Sequence, residues 1–186
     1  MSMNSFEDGL LKQKDETKPI LEGFLESHPG LKAVYEKRTP RPVDIDQNGR
    51  IVSEGQSYEN IPRVQAFVEL ANAIRESLPP VQEGHIRLWR GNRQGEVGHN
   101  PSYTNSLEGI ALPFLRGYGG VLSYVDVDQE EAKQYLTSGA KDSEFILPAE
   151  MVKTAHLVGF SPEEVEKIKS DAKPQEPSGG DGWTTV

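Results

Sequence analysis

The sequence predicts a single α+β domain in which N-terminal helices precede a split, mixed β-sheet of short strands. Apolar residues recur at helical spacing between residues 19 and 78, and they alternate or cluster in short strand-like runs between residues 85 and 160. A length of 186 residues suits one ordinary domain. We therefore expect one domain over 18–172, with its core over about 62–160, between a flexible N-terminus (1–17) and a flexible C-terminal tail (173–186).

The composition argues against several classes of function. The chain carries 29 acidic and 20 basic side chains, and a formal charge of −9 disfavours a broad nucleic-acid interface, since phosphates repel an acidic surface. It contains no cysteine, which excludes disulfides, thiolate catalysis and zinc sites built on sulfur. Residues 1–17 lack the apolar centre of a signal peptide, and no later stretch is apolar enough to span a membrane. We expect a soluble, cytoplasmic protein with no membrane partner.

Helices are predicted in the first half of the chain. An apolar run with helical spacing extends from Pro19 to Lys37, and Pro29-Gly30 is expected to divide it into two short helices. Residues 38–55 are rich in turn formers, and we interpret them as a surface connection in which only Val43, Ile45, Ile51 and Val52 could form short extended pieces. The strongest helix prediction covers Pro62–Leu78, where Pro79-Pro80 ends the pattern.

The second half has the pattern of short strands joined by short helices. The predicted strands are His85–Arg90, Val121–Val127, Asp142–Leu147 and an edge or terminal strand at Ala155–Phe160. The predicted helices are Ser106–Leu115, Gln129–Leu136 and a last one that begins after Ser161.

Arg90 is the first candidate for a binding role. Alternation places Ile86, Leu88 and Arg90 on one face of the predicted strand, and Gly91 permits close approach of a ligand. Trp89 faces the other way, and we expect it in the core. An inward guanidinium needs an anion, which can be a diphosphate bound bidentately or a carboxylate of the protein itself.

Two further segments supply hydroxyls and carboxylates. Thr104-Asn105-Ser106 offers two hydroxyls and an amide, although these residue types also cap helices and form turns. Glu144 comes directly before a strand-forming Phe-Ile-Leu, and Asp142 shares its side of an extended chain. Two such carboxylates can divide labour, one stabilising positive charge on a sugar carbon and the other orienting a nucleophile. A pair of surface acids at a strand start is the alternative.

The order of these segments resembles an enzyme family. Arg90-Gly91, a hydroxyl-rich triplet and then Glu144-Phe-Ile-Leu-Pro148 are together similar to the Arg-Ser-Glu class of mono-ADP-ribosyltransferases. Gly119-Gly120 before a strand and a small-residue turn at 137–141 are similar as well. The resemblance extends over roughly residues 64–160. It implies the ADP-ribosyltransferase fold, with NAD held in a cleft between the halves of the sheet.

The resemblance also implies roles for individual residues. It implies that the protein is an NAD-dependent ADP-ribosyltransferase. NAD is then the substrate, no metal is needed, and hydrolysis of NAD is a possible side activity. Glu144, Arg90 and Thr104 are the implied catalytic residues, and Arg90, Gly91, Thr104, Asn105 and Ser106 are the implied NAD-binding residues. In this class the glutamate bonds a ribose hydroxyl and stabilises the oxocarbenium-like transition state as nicotinamide departs. Asp142 takes the acceptor-orienting position, where glutamate or glutamine is usual.

Alternatives remain open at this stage. A protein is the favoured acceptor, with nucleic acid disfavoured by the charge, and the setting can be that of an effector, a toxin or a housekeeping enzyme. The same fold can instead serve as an inactive NAD- or protein-binding module, or the pattern can belong to a small interaction domain whose acidic surface meets a basic partner. His85 would suit the His-Tyr-Glu version of the fold, but Arg90 directly before Gly91 fits better. The four histidines lack paired-ligand spacing, so no zinc site is expected.

Overall fold

The helices and strands of the chain form an α+β fold. The computed structural model describes residues 17–38, 43–54, 56–93, 96–115, 120–137 and 144–172. The two ends predicted to be flexible lie outside these residues, except for Thr17, which is already helical and buried. No helix within the described ranges is long and apolar enough to cross a bilayer.

The helices and strands of the described residues have the following bounds. The helices are α1 (17–27), α2 (Pro29–Glu36), α3 (Pro62–Ser77), α4 (Leu112–Phe114), α5 (Gln129–Ala132), α6 (Ala149–Lys153) and α7 (Pro162–Asp171), with a π-helix at Leu107–Ala111 and a 3-10 helix at Lys133–Tyr135. The strands are β1 (Asp44–Ile45), β2 (Ile51–Ser53), β3 (Gln56–Tyr58), β4 (His85–Arg93), β5 (Ser102–Thr104), β6 (Gly120–Asp128), β7 (Glu144–Ile146) and β8 (His156–Leu157).

The N-terminal helices agree with the sequence prediction. The helical segment is interrupted at His28, between α1 and α2, because Pro29 occupies the first turn of a new helix. The His28 ring stacks on Phe24 with centroids 4.2 Å apart and lies 2.8 Å from the Phe24 carbonyl oxygen through Nδ1, so it is a core residue. Helix α3 begins at Pro62 and ends one residue short of the predicted Leu78, just before the two prolines.

The segment predicted as a surface connection forms a β-meander instead. Strands β1, β2 and β3 pair in order as an antiparallel sheet, and Ile51 in β2 is fully buried. The turn between β1 and β2 is closed by Asp46, whose Oδ1 accepts hydrogen bonds from the backbone amides of Arg50 and Asn48. The bond from Arg50 is the main cause of a lowered pKa for this exposed carboxyl. Turn formers therefore mark the tight corners of a sheet here, and the prediction of a surface connection is wrong for this stretch. Of the four residues predicted as possible short extended pieces, Ile45, Ile51 and Val52 do lie in strands.

The second sheet has five strands in the order β7-β5-β4-β6-β8. Every pairing among its described strands is antiparallel, so the expectation of a mixed sheet is wrong. For the β4–β5 pair the physical reason is the length of the connection: residues 94–101 are fewer than the roughly dozen residues that a parallel crossover needs. The short β8 lies at one edge, as predicted for Ala155–Phe160.

The five-stranded sheet buries both of its faces. On one face Trp89, Leu122 and Tyr124 pack against α1, α2, α3 and the π-helix, so the prediction of a core position for Trp89 is confirmed. On the other face Leu88 packs with a second apolar cluster, whose further members include Tyr103, Val125, Val127, Phe145, Leu147 and Val152. Side chains therefore pack against both faces of the central strand β4. This close packing holds the strand, and with it the residues at its end, in a fixed position.

Gly91 has a packing role in addition to the predicted one. A Cβ added there would lie 2.7 Å from the carbonyl oxygen of Ala111 and 2.8 Å from Cγ of Leu115. The missing side chain therefore admits the backbone of the π-helix against β4, and the close approach of a ligand to Gly91 stays a prediction.

Replacing Gly91 by alanine is expected to lower the free energy of unfolding by about 1–3 kcal/mol, because the added methyl overpacks a contact between two backbones. Urea denaturation measures the change. Gly23→Ala is the matched control: a Cβ at this exposed position of α1 meets nothing within 4 Å, and the change should stabilise the helix by about 0.5–1 kcal/mol. A Gly91→Ala protein as stable as the control would contradict this view of the contact.

Candidate active site

A cavity of about 220 Å³ opens where β4 and β5 separate. The register of these two strands contains one pair, Trp89 opposite Thr104. The cavity is lined by Trp89, Arg90, Gly91, Ser102, Tyr103, Thr104, Ile110, Ala111, Phe114 and Glu144. Its walls come from β4, β5, β7, the π-helix and α4, so it lies within the five-stranded sheet rather than between the two sheets. Four of the residues singled out in the sequence, Arg90, Gly91, Thr104 and Glu144, are brought together here.

Glu144 enters the cavity from the first position of β7. Thr104 lies directly opposite it in the β5–β7 register, so both side chains are on the same face of the sheet. The backbone of Glu144 is fixed as well, since its carbonyl oxygen accepts bonds from the amide of Thr137 at 3.0 Å and from its hydroxyl at 3.2 Å. The carboxylate is only partly buried and lines the cavity.

Ser102 is the site residue that the sequence reasoning missed. Its hydroxyl donates a hydrogen bond of 2.7 Å to Oε1 of Glu144. A short bond from a neutral hydroxyl to a carboxylate is of the stronger, charge-assisted kind, and it orients the acid. Ser102 is two residues before Thr104 and therefore on the same face of β5. Period-two alternation from Thr104 identifies Ser102 only once residues 102–104 are known to form a strand.

Arg90 supplies the positive charge of the cavity. Its guanidinium spans the gap between the strands, where Nη1 donates to the carbonyl oxygen of Ser102 at 2.8 Å. The side chain is 12% exposed, and Nη2 lies 3.7 Å from Oε2 of Glu96. The Phe114 ring, half exposed, has its centroid 5.7 Å from the guanidinium carbon. The sequence left two partners open for Arg90, a diphosphate or a carboxylate of the protein. The structure is compatible with both, because Arg90 borders the cavity and also forms an ion pair.

The predicted triplet divides after its first residue. Thr104 lines the cavity, and its Oγ1 accepts a bond of 3.1 Å from the amide of Ser106. Ser106 turns away and lies 3.3 Å from the Tyr58 hydroxyl. Asn105 lines a second cavity of about 440 Å³, bordered also by Glu54, Arg87 and other residues of β3, α3 and β4. Asp142, the fourth polar candidate, lies outside the described residues.

The titration of the neighbouring phenols follows from their burial. Burial raises the pKa of Tyr103, whose hydroxyl lies 3.4 Å from Oγ of Ser123 behind the cavity. Burial also raises the pKa of Tyr58 to about 12, to which the negative charge of Glu108 contributes. Both therefore remain protonated near neutral pH, and neither phenol adds a negative charge beside the cavity.

The chemistry available to the cavity follows from these groups. A carboxylate held by a hydroxyl can stabilise positive charge on a bound carbon centre, and a guanidinium can bind an anion such as a phosphate. Aromatic and aliphatic walls from Trp89, Phe114 and Ile110 suit a flat ring. Across the described ranges no group of three or more acidic or histidine side chains is arranged to hold a metal ion. Searches of family models, curated proteins and solved structures found no match to this chain.

Proposed function

We propose that the protein is an NAD-dependent ADP-ribosyltransferase with an ADP-ribosyltransferase-like fold, which breaks the nicotinamide glycosidic bond and transfers ADP-ribose to a macromolecular acceptor. One observation carries the proposal: Arg90, Ser102, Thr104 and Glu144 border a single cavity, and Ser102 donates to the Glu144 carboxylate. An anion-binding guanidinium beside an oriented carboxylate matches the two charges that NAD presents, its diphosphate and the positive charge that develops on the ribose carbon.

In the proposed reaction Glu144 acts by charge. The bond between the ribose C1′ and the nicotinamide nitrogen breaks, and its electron pair passes to nicotinamide, which leaves as a neutral molecule. No general acid is needed, because the leaving group is already a cationic pyridinium. Glu144 stabilises the positive charge that remains on the sugar. The acceptor nucleophile then forms a bond to C1′ and gives up its proton.

The other cavity residues bind and orient NAD. Arg90 binds the diphosphate or the adjoining ribose, while Ser102 keeps the Glu144 carboxylate aimed at the ribose. The exposed ring of Phe114 offers a stacking surface at the cavity edge. About 220 Å³ is below the range of roughly 300–1,000 Å³ common for ligand pockets, so the cavity fits the nicotinamide end and leaves the rest of NAD outside.

A protein is the acceptor that we favour, because the formal charge of −9 opposes nucleic acid. The alternative function is an inactive module that binds NAD or a protein. The observation that favours it is the ion pair between Arg90 and Glu96. In this pair a carboxylate of the protein itself already interacts with the guanidinium that would bind an anion. The transferase and an inactive NAD-binding module differ in turnover and not in NAD binding.

The experiment combines calorimetry with an assay of nicotinamide release. Wild-type protein is titrated with NAD, then incubated with labelled NAD, with and without candidate acceptor proteins, and released nicotinamide is measured. Release, with label on an acceptor, supports the transferase. Binding without release supports the inactive NAD-binding module, and absence of both overturns the transferase and the NAD-binding module together.

Arg90→Gln is expected to weaken NAD binding about tenfold to a hundredfold, because hydrogen bonds to charged groups contribute about 1.5–3 kcal/mol. The same calorimetric titration measures it. The matched control is Arg93→Gln, which removes an equal charge from an exposed position of the same strand and should change the affinity less than about twofold. Equal losses in the two variants would mean that Arg90 acts only through the overall charge.

A further inference from the structure

One wall of the cavity is formed by the π-helix, an unusual element that often occurs at functional sites. The amides of Ile110 and Ala111 both donate to the carbonyl oxygen of Ser106, at 3.2 and 3.1 Å, and these two residues line the cavity. The backbone at Ala111 also lies against Gly91, next to Arg90. The position of this helix therefore sets the width of the cavity beside Arg90.

The opposite side of the π-helix carries a buried carboxylate. Glu108 has a side chain that is 1% exposed. Its Oε2 lies 2.7 Å from Nη2 of Arg75 on α3, and its Oε1 lies 3.0 Å from the Tyr58 hydroxyl on β3. Both oxygens are thus held by elements that contribute nothing to the cavity lining.

Tyr58 holds the π-helix at a second point. Its hydroxyl lies 3.3 Å from Oγ of Ser106, the residue directly before the π-helix. It also contacts Oε1 of Gln56. The hydroxyl carries a single proton, and donation to the charged Glu108 is its strongest option, with Ser106 able to donate in return. The raised pKa of Tyr58 keeps this proton in place near neutral pH.

We propose that Tyr58 and Arg75 are positioning residues for the cavity: by holding Glu108 and Ser106 from outside, they fix the π-helix wall against Arg90 and Glu144. The inference rests on the proposed function for its effect on catalysis. Displacements near 1 Å in an active site cost up to about a hundredfold in rate, because the reacting groups lose alignment. The β-meander, which contributes no residue to the cavity lining, then has a role in the reaction.

Tyr58→Phe tests this, since it removes one hydroxyl and keeps the ring. Ser53→Ala is the matched control: the Ser53 hydroxyl accepts a bond of 3.1 Å from Nη1 of the same Arg75, and it donates to Asn72 on α3 rather than to Glu108 or Ser106. We expect Tyr58→Phe to lower kcat for nicotinamide release about tenfold while KM changes less than about twofold, and Ser53→Ala to leave both nearly unchanged. Thermal unfolding of both variants shows that they are folded at the assay temperature.

A readout that needs no NAD accompanies the kinetics. Trp89 lines the cavity and is almost fully buried, and the second tryptophan of the chain, Trp183, is replaced by phenylalanine in every protein compared. Acrylamide should quench Trp89 more strongly in Tyr58→Phe than in Ser53→Ala. Unchanged quenching in Tyr58→Phe, or equal kinetic losses in the two variants, overturns the positioning role. Absence of nicotinamide release by the parent protein overturns the proposed function instead, and the quenching still decides whether the network holds the wall.

Discussion

Replacing Glu144 by glutamine is expected to slow nicotinamide release about a hundredfold, equivalent to roughly 3 kcal/mol of lost transition-state stabilisation. Glutamine has the same shape and its carbonyl oxygen can still accept the bond that Ser102 donates. The cavity therefore keeps its form and loses one negative charge. Since that charge is what stabilises the developing positive sugar carbon, kcat should fall while NAD binding stays within about threefold.

Glu150→Gln provides the matched control for this experiment. It removes an equal charge from an exposed position of α6, the helix that follows β7. Rates are compared at saturating NAD, and the unfolding midpoints of both variants are measured alongside. A Glu144→Gln protein that releases nicotinamide as fast as the Glu150→Gln protein would exclude a catalytic role for Glu144, whatever the affinity for NAD.

Arg75→Met is expected to lower the free energy of unfolding by about 3–5 kcal/mol. Methionine keeps much of the aliphatic volume but removes the cation that lies 2.7 Å from Oε2 of Glu108. The carboxylate left behind is 1% exposed, so water cannot replace the lost partner. Urea denaturation, read by the fluorescence of the chain, measures the loss.

Arg87→Met tests whether stability is lost because the carboxylate that remains without its cation is buried. Arg87 forms an equally short bond, from Nε to Oδ1 of Asp126 at 2.7 Å, but the Asp126 side chain is 32% exposed and can be hydrated once alone. We expect this variant to lose about 1–2 kcal/mol. The double change Arg75→Met with Glu108→Leu should recover much of the stability, because no buried charge remains. Equal costs for the two single variants would contradict this account.

Much of the fold was predictable where local pattern and tertiary packing agree. The apolar face of Pro62–Ser77, with its initial proline, predicts α3 almost to the residue. The long strands β4 and β6 follow from apolar runs next to glycines, and they form the longest pairing of the structure, over His85–Arg93. In these segments the local propensity and the burial of one face favour the same conformation.

Strand β5 was not predicted, and with it Ser102 was missed. This strand has three residues, with Asn100-Pro101 before it and Asn105 after it, so its local sequence favours a turn. It is extended because β4 pairs with it on one side and β7 on the other. Such pairing is non-local, and a single sequence gives no sign of it. The same limit explains why only Thr104 of the predicted triplet borders the cavity.

The buried acid Glu108 was equally unpredictable. It stands between apolar residues of a short helical pattern, where glutamate is ordinarily exposed. Its partners Arg75 and Tyr58 come from α3 and from the meander that was interpreted as a connection. The buried charge of Glu108 is stabilised only when the π-helix, α3 and the meander are in contact.

The contacts that shape the cavity are also distant along the chain. Ser102 and Glu144 are 42 positions apart, and Tyr58 and Glu108 are 50 positions apart. Closing loops of this length costs entropy before any contact repays it, so such contacts form late in folding. Helix α3, whose backbone hydrogen bonds are local, can therefore form before the cavity exists. We expect the chain to become able to bind a ligand there only late in folding.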